Sequence, residues 1–232
     1  MIKKILRKFF KADSREPFFV DEKIVNKFIE DVNFPYLISF PRTGSNWLRL
    51  VMELYFEKPS LVHVFYYKDA KDFTCRHTHD VKLTTERKNV IYLFRDPVDT
   101  VYSQLNYDKL NTDNEIFIKY WANIYGLHLE KWLLKENFTE KKTIITYEGM
   151  KKNMANEFKK ICHHLNKPFD ENKLKMVLEK VSKEELKKKT LHDPQVVNLS
   201  QEYDQKRKTF REKYSDLIMK CIHNQNIELK NF

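Results

Sequence analysis

The feature that most constrains this chain is a short apolar run that breaks at a proline and re-enters a helix-period segment. Its first instance is Tyr36-Leu-Ile-Ser-Phe40, followed by Pro41-Arg42-Thr43-Gly44-Ser45-Asn46-Trp47. The run reads as a buried strand. The turn after it carries one of only three glycines among 232 residues, so its place there marks a backbone requirement. Strand, small-residue loop and helix together hold an anion. Unpaired backbone N–H groups and the positive end of the helix dipole face one spot, and Arg42 adds a full charge.

The pattern recurs. Asn89 to Phe94 is near-continuously apolar, as a buried parallel strand should be. It ends at Arg95-Asp96-Pro97, and Pro97 suits the first turn of a helix running to about Tyr107. Lys142 to Tyr147 reads as a third strand, and Leu61 to Phe65 as a short additional one. Residues 114–136 place Phe117, Tyr120, Trp121, Ile124, Tyr125, His128 and Trp132 at helical spacing. Further helices are expected over 21–31, 45–57, 149–165, 170–181, 183–189 and 209–224, with irregular polar stretches at 66–80 and 190–208. Strands alternating with helices predict a three-layer α/β fold, a central mostly parallel sheet with helices on both faces and a P-loop-like anion-binding loop. Ligands in such sheets bind beyond the carboxyl ends of the strands. All three informative motifs sit there.

The sequence divides into a basic amphipathic N-terminal segment, 1–20, and a single α/β domain, 21–232. In the former, Ile2, Ile5, Leu6, Phe9 and Phe10 share one helical face opposite Lys and Arg. That pattern fits a membrane-surface helix and equally a first helix packed on the domain. It is too charged for a signal peptide, and no apolar run approaches the roughly 20 residues of a membrane span. The net charge of +10 favours an anionic partner, although the lysines are spread over helix faces rather than gathered. Cys75, Cys162 and Cys221 form no Cys-x-x-Cys pair, which argues for a reducing compartment and against disulfides or zinc.

Three motifs in order, each after an expected strand, carry a resemblance. They are Pro41 to Trp47, Arg95-Asp96-Pro97-Val98-Asp99 with Ser103 eight positions after the arginine, and Tyr147-Glu148-Gly149-Met150. The chain resembles the cytosolic-type sulfotransferase superfamily, whose motifs read Pro-Lys-Ser-Gly-Thr-Thr-Trp, Arg-Asn/Asp-Pro-x-Asp with a later serine, and Tyr-Glu-Asp-Leu/Met. The resemblance spans roughly residues 34–165 and fades to about 212. Richness in Lys, Asn and Ile reads as microbial.

The resemblance implies a loop that wraps the phosphosulfate of 3′-phosphoadenosine 5′-phosphosulfate (PAPS), the co-substrate. The loop would use Arg42, Thr43, Gly44, Ser45, Asn46 and Trp47, with the hydroxyls of Thr43 and Ser45 as donors. Arg42, at the family's lysine position, would neutralise charge on the bridging oxygen. Arg95 and Ser103 would bind the 3′-phosphate, Trp47 would stack on adenine, and Tyr147 would approach the adenine edge with Glu148 as its hydrogen-bonding support. Read without the family, Trp47 and Tyr147 are core aromatics and Arg95 pairs with Asp99. Of the histidines in Arg76-His77-Thr78-His79-Asp80, His79 matches the family's general base and His77 its lysine position. His128 and Trp132 match scaffold positions. Arg207-Lys208-Thr209 stands where the family has Arg-Lys-Gly at the 3′-phosphate, without the glycine.

The implied activity is transfer of a sulfuryl group to a hydroxyl of a glycan, lipid-linked sugar or small alcohol. It would need no metal and no nucleic-acid partner. The expected location is cytoplasmic, with residues 1–12 as a peripheral membrane contact if they form a surface helix. Two alternatives remain at this point. A P-loop nucleotide kinase would show Gly-Lys-Ser/Thr, which is missing here. A polyanion- or nucleic-acid-binding module would gather its basic residues on one face.

Overall fold

The computed structural model describes residues 22–61, 64–135, 139–189, 201–225 and 229. The expected amphipathic helix within 1–12 lies outside them. The order is α1 (Glu22–Glu30), β1 (Tyr36–Ser39), α2 (Ser45–Phe56), β2 (Arg76–Thr78), β3 (Asn89–Phe94), α3 (Pro97–Tyr107), α4 (Glu115–Leu129), β4 (Lys141–Thr146), α5 (Tyr147–His164), α6 (Glu171–Lys180), α7 (Lys183–Lys189) and α8 (Gln201–His223). Helix α4 runs on through a π-helical turn, Glu130–Leu134.

The four strands form one parallel sheet in the order β2-β1-β3-β4. Period-two alternation sorts their side chains into two cores. Tyr36, Ile38, Phe40, Val90, Tyr92 and Phe94 face α3, α4 and α8. Leu37, Ile91, Leu93 and Ile145 face α2, α5 and α6. Because β1 and β3 are covered on both faces, they read as apolar runs, and the three-layer expectation holds.

Two expectations are corrected. At Leu61 to Phe65 the described residues form no strand, and the fourth strand is Arg76–Thr78, inside the stretch expected as loop. Three polar residues at a sheet edge carry no apolar alternation. Their pairing rests on backbone bonds, including Arg76 N–H to the Pro35 carbonyl at 2.9 Å. Pro59 and Leu61 bond the segment just before that strand, at Thr74 and Cys75, without forming a ladder. The last helix starts at Gln201 rather than at 209. Its first two turns are polar, held by a Lys206–Glu202 pair and anchored by Tyr203 against Tyr102 at 5.2 Å. No helix among the described residues is long and apolar enough to cross a membrane.

Two buried polar groups fix the elements that carry the site. Glu53 on α2 is fully buried, and its carboxylate accepts the N–H groups of Phe65 at 2.9 Å, Tyr66 at 2.6 Å and Tyr67 at 2.9 Å. It holds the crossover after α2 against that helix. His128 on α4 donates from Nε2 to the His79 carbonyl at 2.9 Å and accepts at Nδ1 from the Tyr92 hydroxyl at 3.0 Å. Both ring nitrogens are therefore used by the neutral form, and burial holds the imidazole down to a pKa of about 3.

Replacing Glu53 by alanine strands three N–H groups, so urea unfolding should show a loss of about 3 kcal/mol, with a smaller loss for Glu53→Gln. His128 gives a pH signature. Its unfolded form takes a proton near pH 6.5, whereas the folded form resists until about 3. Stability contributed by this neutral histidine is therefore present above pH 6.5 and is lost as the pH falls. Between pH 7 and pH 5 the wild type should lose about 2 kcal/mol more than His128→Gln. His164, also held down, shifts both proteins alike, and so does Asp108, whose raised value acts with the opposite sign.

Candidate active site

The chain leaves β1 through two left-handed residues, Arg42 at φ 70° and Gly44 at φ 93°. Positive φ is uncommon away from glycine, so the turn is held by its surroundings. Gly44 is the N-cap of α2 and no side chain caps that end. Its first N–H groups are left to a ligand or solvent, the arrangement that receives anions. A Cβ on Gly44 would lie 2.6 Å from Cδ2 of Tyr147. The glycine thus meets two demands, a left-handed conformation and a close approach to an aromatic face.

The other loop residues divide by role. Thr43 is fully buried and its hydroxyl donates to the Phe40 carbonyl at 2.7 Å. That proton is committed to bracing the turn, so Thr43 offers an anion its backbone rather than the hydroxyl donor expected of it. Ser45 is buried at the first position of α2. Asn46 accepts from Arg49 at 3.4 Å, and Arg49 is held at 2.8 Å by Ser60. Trp47 is half-buried and meets Tyr147 edge to face, with ring centroids 6.1 Å apart.

Arg95, at the end of β3, ties the loops together. It is 8% exposed, donates from Nη1 to the Arg42 carbonyl at 2.7 Å, and lies over the Tyr147 ring at 4.5 Å. Its Nη2 comes within 4.0 Å of Asp99. Its Nε is buried with no hydrogen-bond partner among the described residues. A guanidinium N–H left in that state is costly unless an acceptor arrives. Arg42 donates from Nε to the Ser103 hydroxyl at 3.3 Å, and its guanidinium covers the Tyr107 ring at 4.8 Å. Nearby, burial pushes the Asp108 carboxyl up to about 6, against its bond from Gln104 and the Arg42 charge. Glu148 accepts the Asp96 N–H at 3.2 Å, linking the loops after β3 and β4.

The sequence-level candidates Arg42, Thr43, Gly44, Ser45, Trp47, Arg95, Ser103 and Tyr147 therefore gather at the carboxyl ends of β1, β3 and β4. Arg207 stands one step out, 3.4 Å from the Asp99 oxygen that Arg95 approaches. Lys208 does not join them. The expected loop there is the interior of α8, where consecutive side chains diverge by about 100°, and Lys208 is exposed. Sequence reasoning missed Arg211, which clamps Asp96 through both carboxylate oxygens at 2.7 and 2.8 Å. Its signal was a four-residue spacing from Arg207, facing Asp96, the N-cap of α3, and Asp99 three residues on.

The histidines meet β1 from the other side. His77 Nε2 lies 3.0 Å from the Ser39 hydroxyl, and His79 packs on His77 with centroids 4.6 Å apart. His79 Nδ1 is 2.9 Å from the Ser39 carbonyl, which can only accept, so Nδ1 carries the proton and the lone pair of the neutral ring is on Nε2. The next residue, Asp80, is buried and in the left-handed region at φ 39°. Its carboxylate accepts from Trp132 Nε1 and Lys131 Nζ, both at 2.9 Å, and from the Thr85 N–H at 2.9 Å. The π-helical turn brings the two adjacent side chains to one acceptor.

The family model of the sulfotransferase domain matches residues 74–224. Sulfotransferase 2A6 of Rattus norvegicus is 26% identical over 197 residues, 68% of each chain. Sulfotransferase 2A2 of the same organism is 31% identical over 116 residues, 44% of this chain and 40% of that one. The crystal structure of retinol dehydratase in complex with androsterone and inactive cofactor PAP shares the fold. Its TM-score is 0.57 at 14% identity, over 89% of this chain and 88% of that one. These findings favour neither the kinase nor the polyanion-binding reading. The parallel sheet, the strand-end loops and a family match over most of its length make this chain a member of the sulfotransferase domain family, and so an enzyme that transfers sulfuryl groups.

Proposed function

We propose that the chain transfers the sulfuryl group of PAPS to a hydroxyl of a glycan, lipid-linked sugar or small alcohol, at the strand-end cluster around Arg42 and Arg95. The observation that carries this reading is the buried, unpartnered Nε of Arg95. It sits where three loops meet beside an aromatic ring and an uncapped helix N-terminus, and it fits an anionic oxygen of the nucleotide's 3′-phosphate. The PAP bound to retinol dehydratase supports a nucleotide in this fold. When bound, PAPS supplies a sulfuryl group on a bridging phosphate oxygen.

This chain's residues then have distinct tasks. The N–H groups at the start of α2 and the Arg42–Asn46 loop orient the anion. Arg42 neutralises the charge that gathers on the leaving oxygen, and Ser103 and Tyr107 hold its guanidinium in one plane. Trp47 and Tyr147 present apolar faces to the base, and Arg95 with Ser103 takes the 3′-phosphate, with Arg207 in support. His79 accepts the acceptor's proton at Nε2, because Ser39 fixes the other nitrogen as a donor. Residues 1–12 provide a membrane-surface contact for a lipid-linked acceptor at the cytoplasmic face.

Adenosine 3′,5′-bisphosphate should raise the melting temperature without magnesium, and Arg95→Gln should weaken that nucleotide at least tenfold. His79→Ala should lower turnover by about 10²- to 10⁴-fold while leaving the nucleotide shift near normal. Full turnover in His79→Ala removes the base assignment, and absence of any nucleotide shift removes the site. Deleting residues 1–12 should reduce partitioning onto anionic vesicles; unchanged partitioning ends the membrane proposal.

A further inference from the structure

A second concentration of positive charge lies away from the strand-end cluster. Arg76 opens β2 and is in register with Tyr36, which opens β1. Arg87 lies two residues before β3. Both guanidiniums converge on Tyr36. Arg76 Nη1 donates to its phenol oxygen at 3.3 Å and Arg87 Nη2 at 2.8 Å. Their central carbons are 5.7 and 4.3 Å from the ring centroid. Arg87 is anchored further by a 2.8 Å bond to the Ile29 carbonyl. Neither arginine has a carboxylate within ion-pair distance among the described residues. Glu86 stands exposed nearby and pairs with neither.

Two like charges sharing one neutral oxygen repel each other, and an anion placed between them relieves that repulsion. The phenol points to the same conclusion. Tyr36 is 2% exposed, and its hydrogen-bond partners among the described residues are both donors. Its two lone pairs are therefore occupied, and its own O–H remains a donor. Beside these groups opens a cavity of about 220 Å³, lined also by Thr78, Thr84, Thr85 and the exposed carboxylate of Glu86, which bonds to neither arginine and leaves the two guanidiniums in excess. Guanidinium forks, a buried phenol proton and threonine hydroxyls are the donor set that recognises a compact oxyanion.

We infer that this pocket at the β1–β2 edge binds a small tetrahedral oxyanion, phosphate or sulfate, separately from the nucleotide-binding cluster. The same oxygens can arrive as a free ion or on the end of a larger ligand. The pocket lies at the start of β1 and β2 and shares no residue with the cluster of Arg42, Arg95 and His79.

The test uses the full chain saturated with adenosine 3′,5′-bisphosphate, so that the strand-end cluster is filled. Inorganic phosphate and glucose 6-phosphate are titrated by calorimetry against chloride of matched ionic strength. One further site is expected. Binding of both ligands identifies a group carried on a larger molecule as admissible, and binding of inorganic phosphate alone identifies a free ion. Arg76→Gln and Tyr36→Phe should each weaken that site tenfold or more and leave nucleotide binding unchanged. Arg76 serves better than Arg87, whose bond to Ile29 also secures α1. Absence of heat with both ligands, or unaltered phosphate binding in a folded Arg76→Gln, overturns the inference.

Discussion

The site depends on the approach of Gly44 to the face of Tyr147. Strands β1 and β4 are not neighbours in the sheet, because β3 lies between them. The loops that follow them can meet only above the end of β3. A side chain at position 44 would come within 2.6 Å of the tyrosine ring, so the contact exists only with glycine. Arg95, leaving β3 beneath that junction, stacks on the same ring at 4.5 Å and bonds the Arg42 carbonyl. One missing Cβ therefore lets three loops close on a single aromatic ring. The helix end, the two arginines and the indole of Trp47 then come within reach of one ligand. Elsewhere in the chain glycine answers other needs. At Gly149 an added Cβ would strike the N-capping hydroxyl of Thr146, 2.4 Å away, so the start of α5 is also built without a side chain.

Around that junction, carboxylates fix the position of His79 and Arg95. Asp80 collects Trp132, Lys131 and the Thr85 N–H, which pins the chain one residue beyond His79. His128 pins the His79 carbonyl from α4. On the other side, Asp96 caps α3 and is gripped by Arg211, whose Nη1 also reaches Asp99 at 3.2 Å. Asp99 in turn stands between Arg207 and Arg95. Removing a partner of Asp80 leaves an uncompensated buried charge, the costly half of such a pair, whereas the half-exposed Arg211 pairs are screened by solvent and cost less to break. The long helix α8 is thereby tied to the strand-end cluster although its own sequence is mostly polar.

What the sequence disclosed follows from what burial writes into it. Strands β1 and β3, covered on both faces, are apolar along their length. Gly44, Pro97 and the Arg95-Asp96-Pro97 break mark backbone requirements that few residues satisfy, so the strand-end motifs were legible. Strand β2 was not, because three polar residues at an edge are held by backbone pairing that any sequence could supply. The start of α8 was missed for the converse reason: its first turns are stabilised by charge pairs and by one tyrosine. Lys208 stands apart from the cluster because the chain expected to be irregular there is helical and turns adjacent side chains about 100° apart. The task of Thr43 was invisible, since a hydroxyl's proton can go outward to an anion or back to Phe40, and only geometry decides.

Arg42 stands where the sequence resemblance expects a lysine, and its surroundings suit the larger group. Lysine would bring a compact charge at the end of a flexible stem, whereas arginine brings a flat fork with a donor partway along it. The surroundings use features lysine lacks. Ser103 accepts the Nε–H, and the Tyr107 ring receives the guanidinium face at 4.8 Å. Asp108, whose carboxyl burial pushes up to about 6, adds a charge near Arg42 that weakens as the pH falls. The guanidinium is therefore oriented from two sides before any ligand arrives, and its left-handed backbone, φ 70°, aims it from the turn rather than from the helix. Pre-orientation of this kind supplies positive charge at a fixed point without reorganisation, which is what stabilising a developing oxyanion requires. The exchange of lysine for arginine thus moves the burden of positioning from a mobile stem to the residues around it.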